Sequence, residues 1–251
     1  MKSLDLTGKV VLISGAGKID GQGAAEAKCL IELGAVVYIA DIIDEEGSKT
    51  AISIGANVNY VHLDVTDENN WNTVVANIHE AHGRVDGLVN NAGVWSGTGI
   101  VDTSLEEFQR VIAINQVGPF LGIKAVAPLM CEAGQGSIVN IVSAASMRVG
   151  VYYWHNSMTA HAYTVTKWAV HGMTKAAAME FAPSNVRVNS IHPGPIKTSM
   201  LGGDIDDIAA SVPMKRLGQP ADIAGMVAFL ISDTCPYMTG AEIAIDGAAT
   251  V

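Results

Sequence analysis

Tyr163 and Lys167, in "YTVTK", stand four residues apart, so on a helix both side chains project from one face. A phenol with its ordinary pKa near 10 carries protons poorly at neutral pH, but a neighbouring ammonium stabilises the phenolate and pulls that pKa down. The pair is read as a general acid–base centre. Tyr-x-x-x-Lys is common by chance, and its weight here comes from its company. Ser143 ends a strand-like run, Asn115 sits in the helical "INQVG", and Asn90–Gly93 reads "NNAG". Singly, these are better explained as a strand-ending hydroxyl, a buried helix-bending amide and a turn former. Jointly they point to chemistry.

A second constellation lies near the start. The stretch "ISGAGKIDGQGAA" follows an apolar run and leads into a helical pattern, placing Gly15, Gly17, Gly21 and Gly23 where a pyrophosphate needs close backbone approach and free helical N–H groups. Such a turn can also be a mere tight connection. Asp41 raises its meaning: it closes the next strand, "VVYIAD", twenty residues beyond Gly21. A carboxylate there accepts hydrogen bonds from an adenosine ribose and repels a 2′-phosphate, which favours NAD over NADP. Lys18 inside the loop pulls the other way, but nothing basic follows the acid in "DIID".

The elements that position these residues alternate. Short β-branched runs (Val10–Ser14, Val36–Asp41, Tyr60–Leu63, Gly87–Asn90, Ser137–Val142, Val186–His192, Glu242–Ile245) are separated by helical stretches. The helices are expected at Gly23–Leu33, Glu45–Ile54, Glu68–His82, Ser104–Met130, Ala160–Ala182 and Ala221–Ser232. This rhythm predicts an α/β fold: a Rossmann-type doubly wound sheet of seven mainly parallel strands with helices on both faces. Strands as apolar as "VVLIS" are covered on both sides. No repeat or linker divides the chain, so residues 1–251 are expected to form a single domain.

Composition narrows the partners. A net charge of −10 with no basic cluster disfavours nucleic acid. The first residues run straight into a strand without an apolar leader, and no run approaches a membrane span. Cys29, Cys131 and Cys235 are scattered and odd in number, suggesting neither disulfides nor zinc, and the expectation is a reduced, cytoplasmic setting. His155 and His161 lack acidic or cysteine companions, so no metal is expected.

From "LTGKVVLISG" through "VDGLVNNAGV", "GSIVNIVSAAS", "YTVTKWAVHG" and "VRVNSIHPGPIKTSM" to "YMTGAEIAIDG", the chain resembles the single-domain short-chain dehydrogenases/reductases, most of all the bacterial 3α(20β)-hydroxysteroid dehydrogenases. The resemblance implies interconversion of a secondary alcohol and a ketone. Tyr163 would be the acid or base, Lys167 would tune it and hold the nicotinamide ribose, and Ser143 would hold the substrate oxygen. Asn115 would hold a water in a proton relay. Asp64 and Val65 would contact the adenine, Asn91, Ala92 and Gly93 would line the cofactor, and Pro193, Gly194, Ile196 and Thr198 would frame the nicotinamide. It also implies a homotetramer assembled through the helices after the fourth and fifth strands and the last strand. The alternatives are a β-ketoacyl-type reductase and a non-catalytic dinucleotide-binding protein.

Two departures from the family pattern stand out. Five residues, not three, separate Gly15 from Gly21, read as a two-residue insertion after a strand ending at Ser14 rather than a later strand end. Nineteen residues, not about a dozen, separate Ser143 from Tyr163, and the extra segment carries Tyr152, Tyr153, Trp154 and Met158. Tyr153 and Trp154 are candidate walls of an apolar substrate pocket, with packing against a neighbouring subunit as the competing reading. Met200–Met214 is expected to be a short mobile lid, with Met200 a candidate substrate contact.

Overall fold

The computed structural model describes residues 4–150 and 160–251, so the expectations for Tyr152–Met158, Tyr153 and Trp154 included, fall outside the described residues. Seven strands form one sheet: β1 (Val10–Ser14), β2 (Val36–Asp41), β3 (Val58–His62), β4 (Gly87–Asn90), β5 (Gly136–Ile141), β6 (Val186–Pro193) and β7 (Glu242–Ile245). Their order is β3-β2-β1-β4-β5-β6-β7, and every neighbouring pair is parallel. Parallel neighbours require crossovers, supplied by α1 (Gln22–Glu32), α2 (Asp44–Ile54), α3 (Glu68–His82), α4 (Leu105–Ile112), α5 (Gly118–Ala133), α6 (His161–Phe181), α7 (Ile205–Ser211) and α8 (Pro220–Ile231).

Alternation along β1 explains the two covered faces. Val11 and Ile13 join a cluster with Leu30 of α1 and Ile223 of α8, while Val10 and Leu12 turn to Trp71 of α3 and Val126 of α5. Each such side chain, fully buried, contributes about 1.5–3 kcal/mol relative to exposure. Strand order reverses between β1 and β4, and the ends of these two strands open the crevice in which doubly wound sheets take ligands.

Two expectations change, and a third segment gains detail. The helix expected over Ser104–Met130 is not continuous: a π-helical turn at Ala113–Val117 separates α4 from α5 and contains Asn115. Read through, Leu105–Ala133 is 29 residues with an 18-residue window of mean hydropathy 1.3, long and apolar enough to cross a membrane, which corrects the expectation that no run reaches that length. Half of that window is buried, with α5 packed on α3, β4 and β5, as in a core helix. The segment expected to be a lid contains a helix, α7, whose first turn is capped by Asp204 accepting from the Asp206 and Asp207 amides and whose Ile208 is buried.

Candidate active site

The glycine loop follows the insertion reading, since β1 ends at Ser14. Gly15 has φ +66°, and a Cβ there would sit 2.5 Å from Ala92 Cα, so only glycine brings this loop against the end of β4. Ser14 Oγ accepts from the Asn91 and Ala92 amides at 3.2 Å, and Asn91 Nδ2 donates to the Gly15 carbonyl at 2.8 Å. The Gly17 amide donates to Asp41 Oδ2 at 2.9 Å, while Asp41 Oδ1 accepts from the Ile42 and Ile43 amides at 2.8 and 3.3 Å. Gly23 serves packing: a Cβ there would lie 2.7 Å from Ala16 Cβ. Gly21, the N-cap of α1, brings no side chain to the first-turn amides.

A cavity of about 900 Å³ opens over this loop. Of the residues expected at the cofactor, Gly15, Gly21, Asp41, Asp64, Val65, Asn91, Ala92, Gly93, Tyr163, Lys167, Pro193, Gly194, Ile196 and Thr198 line it, and so does Met200. Gly17, Gly23, Asn115 and Ser143 are not among the lining residues. Asp64 spends one carboxylate oxygen on its own turn, Oδ1 accepting from the Thr66 amide at 2.9 Å and the Thr66 hydroxyl at 2.7 Å. Lys18 of the inserted loop lines the same cavity, at the mouth shared with Asp41 and Ile42.

Sequence reasoning missed Trp95 and Arg110. Trp95 lies in the wall with its ring centroid 4.8 Å from that of Tyr163. An aromatic directly after "NNAGV", where the backbone leaves β4 toward the crevice, was the available signal. Arg110 lines the cavity from α4 and pairs with Glu107, Nε to Oε2 at 2.8 Å. Five residues before Asn115, it is off the three- and four-residue spacing of a helical face, so the sequence carried no signal for it.

The four expected catalytic residues converge on the inner end. Tyr163 and Lys167 stand one turn apart on α6, both buried, with Lys167 Nζ 5.7 Å from the Tyr163 ring centroid and donating to the Ile141 carbonyl at 2.8 Å. Ser143, two residues past β5, caps a short 3₁₀ turn, and its hydroxyl is hydrogen-bonded to Tyr163. Asn115 Oδ1 accepts from the Val94 amide at 2.8 Å and Nδ2 donates to the Val94 carbonyl at 2.9 Å. A Cβ on Gly93 would sit 3.4 Å from Asn115 Oδ1 and 3.6 Å from Lys167 Nζ, so both groups approach the cavity at this glycine.

The electrostatics differ from the expectation. Burial raises Tyr163 above its ordinary value, with the Ser143 hydrogen bond pulling the other way. Burial also pulls Lys167 down to about 8. For both groups burial is the largest cause of the shift.

This arrangement, a doubly wound sheet with a buried Tyr–Lys–Ser–Asn group below a glycine loop, is that of an alcohol dehydrogenase or ketoreductase. A family model described as enoyl-(acyl carrier protein) reductase matches residues 15–250. The chain belongs to the short-chain dehydrogenase/reductase family and acts on a small-molecule alcohol or ketone. It is 42% identical over 242 residues to the 3-alpha-(or 20-beta)-hydroxysteroid dehydrogenase of Mycobacterium tuberculosis, covering 96% of this chain and 89% of that protein. It is 42% identical over 251 residues to the trans-4-hydroxycyclohexanecarboxylate dehydrogenase of Sinomonas cyclohexanicum, covering 96% and 93%. Among solved structures, the 3-ketoacyl-(acyl-carrier-protein) reductase from Brucella melitensis complexed with NADH superposes with a TM-score of 0.90 at 32% identity, covering 99% of this chain and 100% of that one.

Proposed function

We propose that this protein interconverts a cyclic, largely apolar secondary alcohol and its ketone, with NAD(H) as cofactor. The observation that carries the reading is Tyr163, hydrogen-bonded to Ser143 and one helical turn from Lys167, at the inner end of a cavity that has Asp41 at its other end. The cavity fits a nicotinamide dinucleotide: the α1 N-terminus faces it without a side-chain cap, and a Cβ at Gly15 would strike the Ala92 backbone. When bound, the dinucleotide supplies or accepts the hydride.

The chain's own residues manage orientation and the proton. Tyr163 gives its phenolic proton to the carbonyl oxygen in reduction and takes it back from the alcohol in oxidation. Ser143 donates a hydrogen bond to the same oxygen and fixes its position. Lys167 holds the nicotinamide ribose hydroxyls and supplies the charge that favours the phenolate. Asn115 anchors a water that passes the proton onward. Asp41 Oδ2, with one amide already bound, keeps acceptor capacity for a ribose hydroxyl and repels a 2′-phosphate.

Trp95, Met200 and Leu201 supply apolar wall for a ring-shaped substrate, in keeping with the hydroxysteroid and hydroxycyclohexane names of the relatives. Phe120 on α5 and Val165, Trp168 and Met179 on α6 are exposed, an apolar surface that supports a homotetramer built through these helices and β7.

The test is initial-rate measurement with NADH and NADPH over ketones from small aliphatic to steroidal, alongside Tyr163→Phe. NADH-dependent turnover of cyclic ketones, lost in Tyr163→Phe with NADH binding retained, is the expected result. Turnover confined to small open-chain ketones removes the substrate reading, and a preference for NADPH removes the role given to Asp41.

A further inference from the structure

Behind Ser143 lies a buried polar group that no step above uses. His192, fully buried at the end of β6, places Nδ1 2.9 Å from Ser146 Oγ and 3.2 Å from the Ser143 carbonyl, and Nε2 2.8 Å from Ser190 Oγ. The Ser143 carbonyl also receives the Ser146 hydroxyl at 2.7 Å and the Ser146 amide at 3.0 Å.

Donor arithmetic assigns the tautomer. The single hydroxyl proton of Ser146 lies on the Ser143 carbonyl, so its oxygen is left to accept from the imidazole. A bare Nδ1 would set a lone pair against that carbonyl at 3.2 Å, so Nδ1 carries the proton; the Ser190 hydroxyl, 2.8 Å from Nε2 and 3.3 Å from the Ala241 carbonyl, gives its proton to Nε2, the nearer acceptor. Burial, reinforced by the His171 ring 5.0 Å away, lowers His192 to about 4 and keeps it neutral.

We propose that His192 and Ser146 form a positioning pair that clamps the Ser143 carbonyl and thereby aims the Ser143 hydroxyl at Tyr163. Ser143 has left β5: the last ladder bond on this side is the Val142 amide to the Ile191 carbonyl at 2.8 Å. Beyond it the chain reverses into the 3₁₀ turn at Ala144–Ser146, whose side-chain contacts include the Ala145 amide donating to Ser143 Oγ at 3.1 Å. The carbonyl plane is related to the Ser143 Cα by ψ, 152°, so holding the carbonyl fixes the angle at which Cα and its hydroxyl-bearing side chain enter the 3₁₀ turn. The His192–Ser146 pair holds that carbonyl, and neither residue lines the cavity. This inference rests on Ser143 being the substrate-holding hydroxyl.

The experiment compares His192→Leu, His192→Asn, Ser146→Ala and Ser143→Ala in NAD-dependent oxidation of a cyclic secondary alcohol, with NADH binding followed by fluorescence. Asparagine places an amide donor near the Nδ1 position, whereas leucine keeps volume and removes it. His192→Leu is expected to lower kcat about 10–100-fold, with KM and NADH affinity within about threefold of wild type. His192→Asn is expected to recover most of that loss, and ¹⁵N-histidine NMR of the wild type to show the proton on Nδ1. Wild-type kcat in His192→Leu, equal loss in His192→Asn, or a proton on Nε2 overturns the proposal. If His192→Leu does not fold, Ser146→Ala decides: a lowered kcat at unchanged NADH affinity supports the clamp, and an unchanged kcat overturns it. Full turnover by Ser143→Ala sinks the role of Ser143 itself, and with it this inference. Loss of turnover in Ser143→Ala beside wild-type behaviour in His192→Leu and Ser146→Ala sinks the clamp alone.

Discussion

Gly17 and Asp41 are joined across 24 residues by an amide-to-carboxylate hydrogen bond of 2.9 Å, so the acid at the end of β2 also braces the inserted glycine loop. Asp41→Ser is therefore expected to act twice. It loses the carboxylate that accepts from the ribose and repels a 2′-phosphate, and it frees the loop that carries Lys18 to the same cavity. The kcat/KM ratio of NADPH to NADH is expected to rise about 10–100-fold, chiefly through a loss with NADH. Adding Lys18→Ala is expected to reverse part of the NADPH gain. Steady-state kinetics with both cofactors checks both expectations.

Glu26 on α1 is fully buried; Oε1 accepts from Gln22 Nε2 at 2.9 Å, and burial raises its pKa to about 8. An acid whose folded pKa lies above the ordinary 4.5 binds more protons folded than unfolded between those values, so its contribution to stability is full below about 4.5 and is lost as pH rises through about 8. Glu26→Gln keeps an acceptor for Gln22 and cannot ionise. Urea denaturation at pH values near 5 and 8.5 is expected to show the variant more stable than wild type by a few kcal/mol at the higher pH only.

Asn140 sits at the centre of the sheet, accepting from Asn90 Nδ2 and donating to Thr174 Oγ1, each at 2.9 Å. Asn140→Leu removes two buried hydrogen bonds at once, leaving Asn90 Nδ2 only the Pro119 carbonyl at 3.4 Å and Thr174 Oγ1 only its own bond to the Val170 carbonyl at 2.9 Å. A loss of roughly 2–4 kcal/mol in denaturant unfolding is expected, against near-wild-type NADH affinity in the fraction that folds.

Two glycines give opposite expectations for the same change. A Cβ on Gly194 would lie 2.7 Å from Asp246 Cα, and relief of that clash displaces the Pro193–Thr198 wall of the cavity. Gly194→Ala is expected to weaken NADH binding about tenfold or more. A Cβ on Gly225, exposed within α8, meets nothing within 4 Å, and Gly225→Ala is expected to raise stability by about 0.5–1 kcal/mol. Fluorescence titration and thermal melts separate the two.

The strands were legible because parallel, doubly covered strands are short β-branched runs, and "VVLIS" or "VRVNSIHP" has little other use. The cofactor wall was legible for the same reason, as its residues sit at strand ends. The π turn was not, because "AINQV" continues the helical spacing on either side and the extra residue shows only in the backbone. Helix α7 is too short for periodicity to reveal, although Asp204 ahead of "IDD" was a capping signal. The direction of the Tyr163 shift was misread from spacing alone, since four residues between a phenol and an amine say nothing of how deeply both are buried. Trp95 was passed over because an isolated aromatic carries no period.

The two hydrogen bonds between Asn115 and Val94 have a meaning beyond anchoring a side chain. One accepts the N–H of Val94 and the other donates to its C=O, the complement a facing strand residue offers in an antiparallel pair. The Asn115 amide thus stands in for a peptide group, and the segment past β4 gains from a helix a pairing that no strand supplies at Val94. The isosteric aspartate has no donor for the second bond, so at this position shape alone cannot substitute for asparagine. Asn115 lies within the wide turn at Ala113–Val117, so the residue that makes this pair sits where the helix departs from its regular spacing.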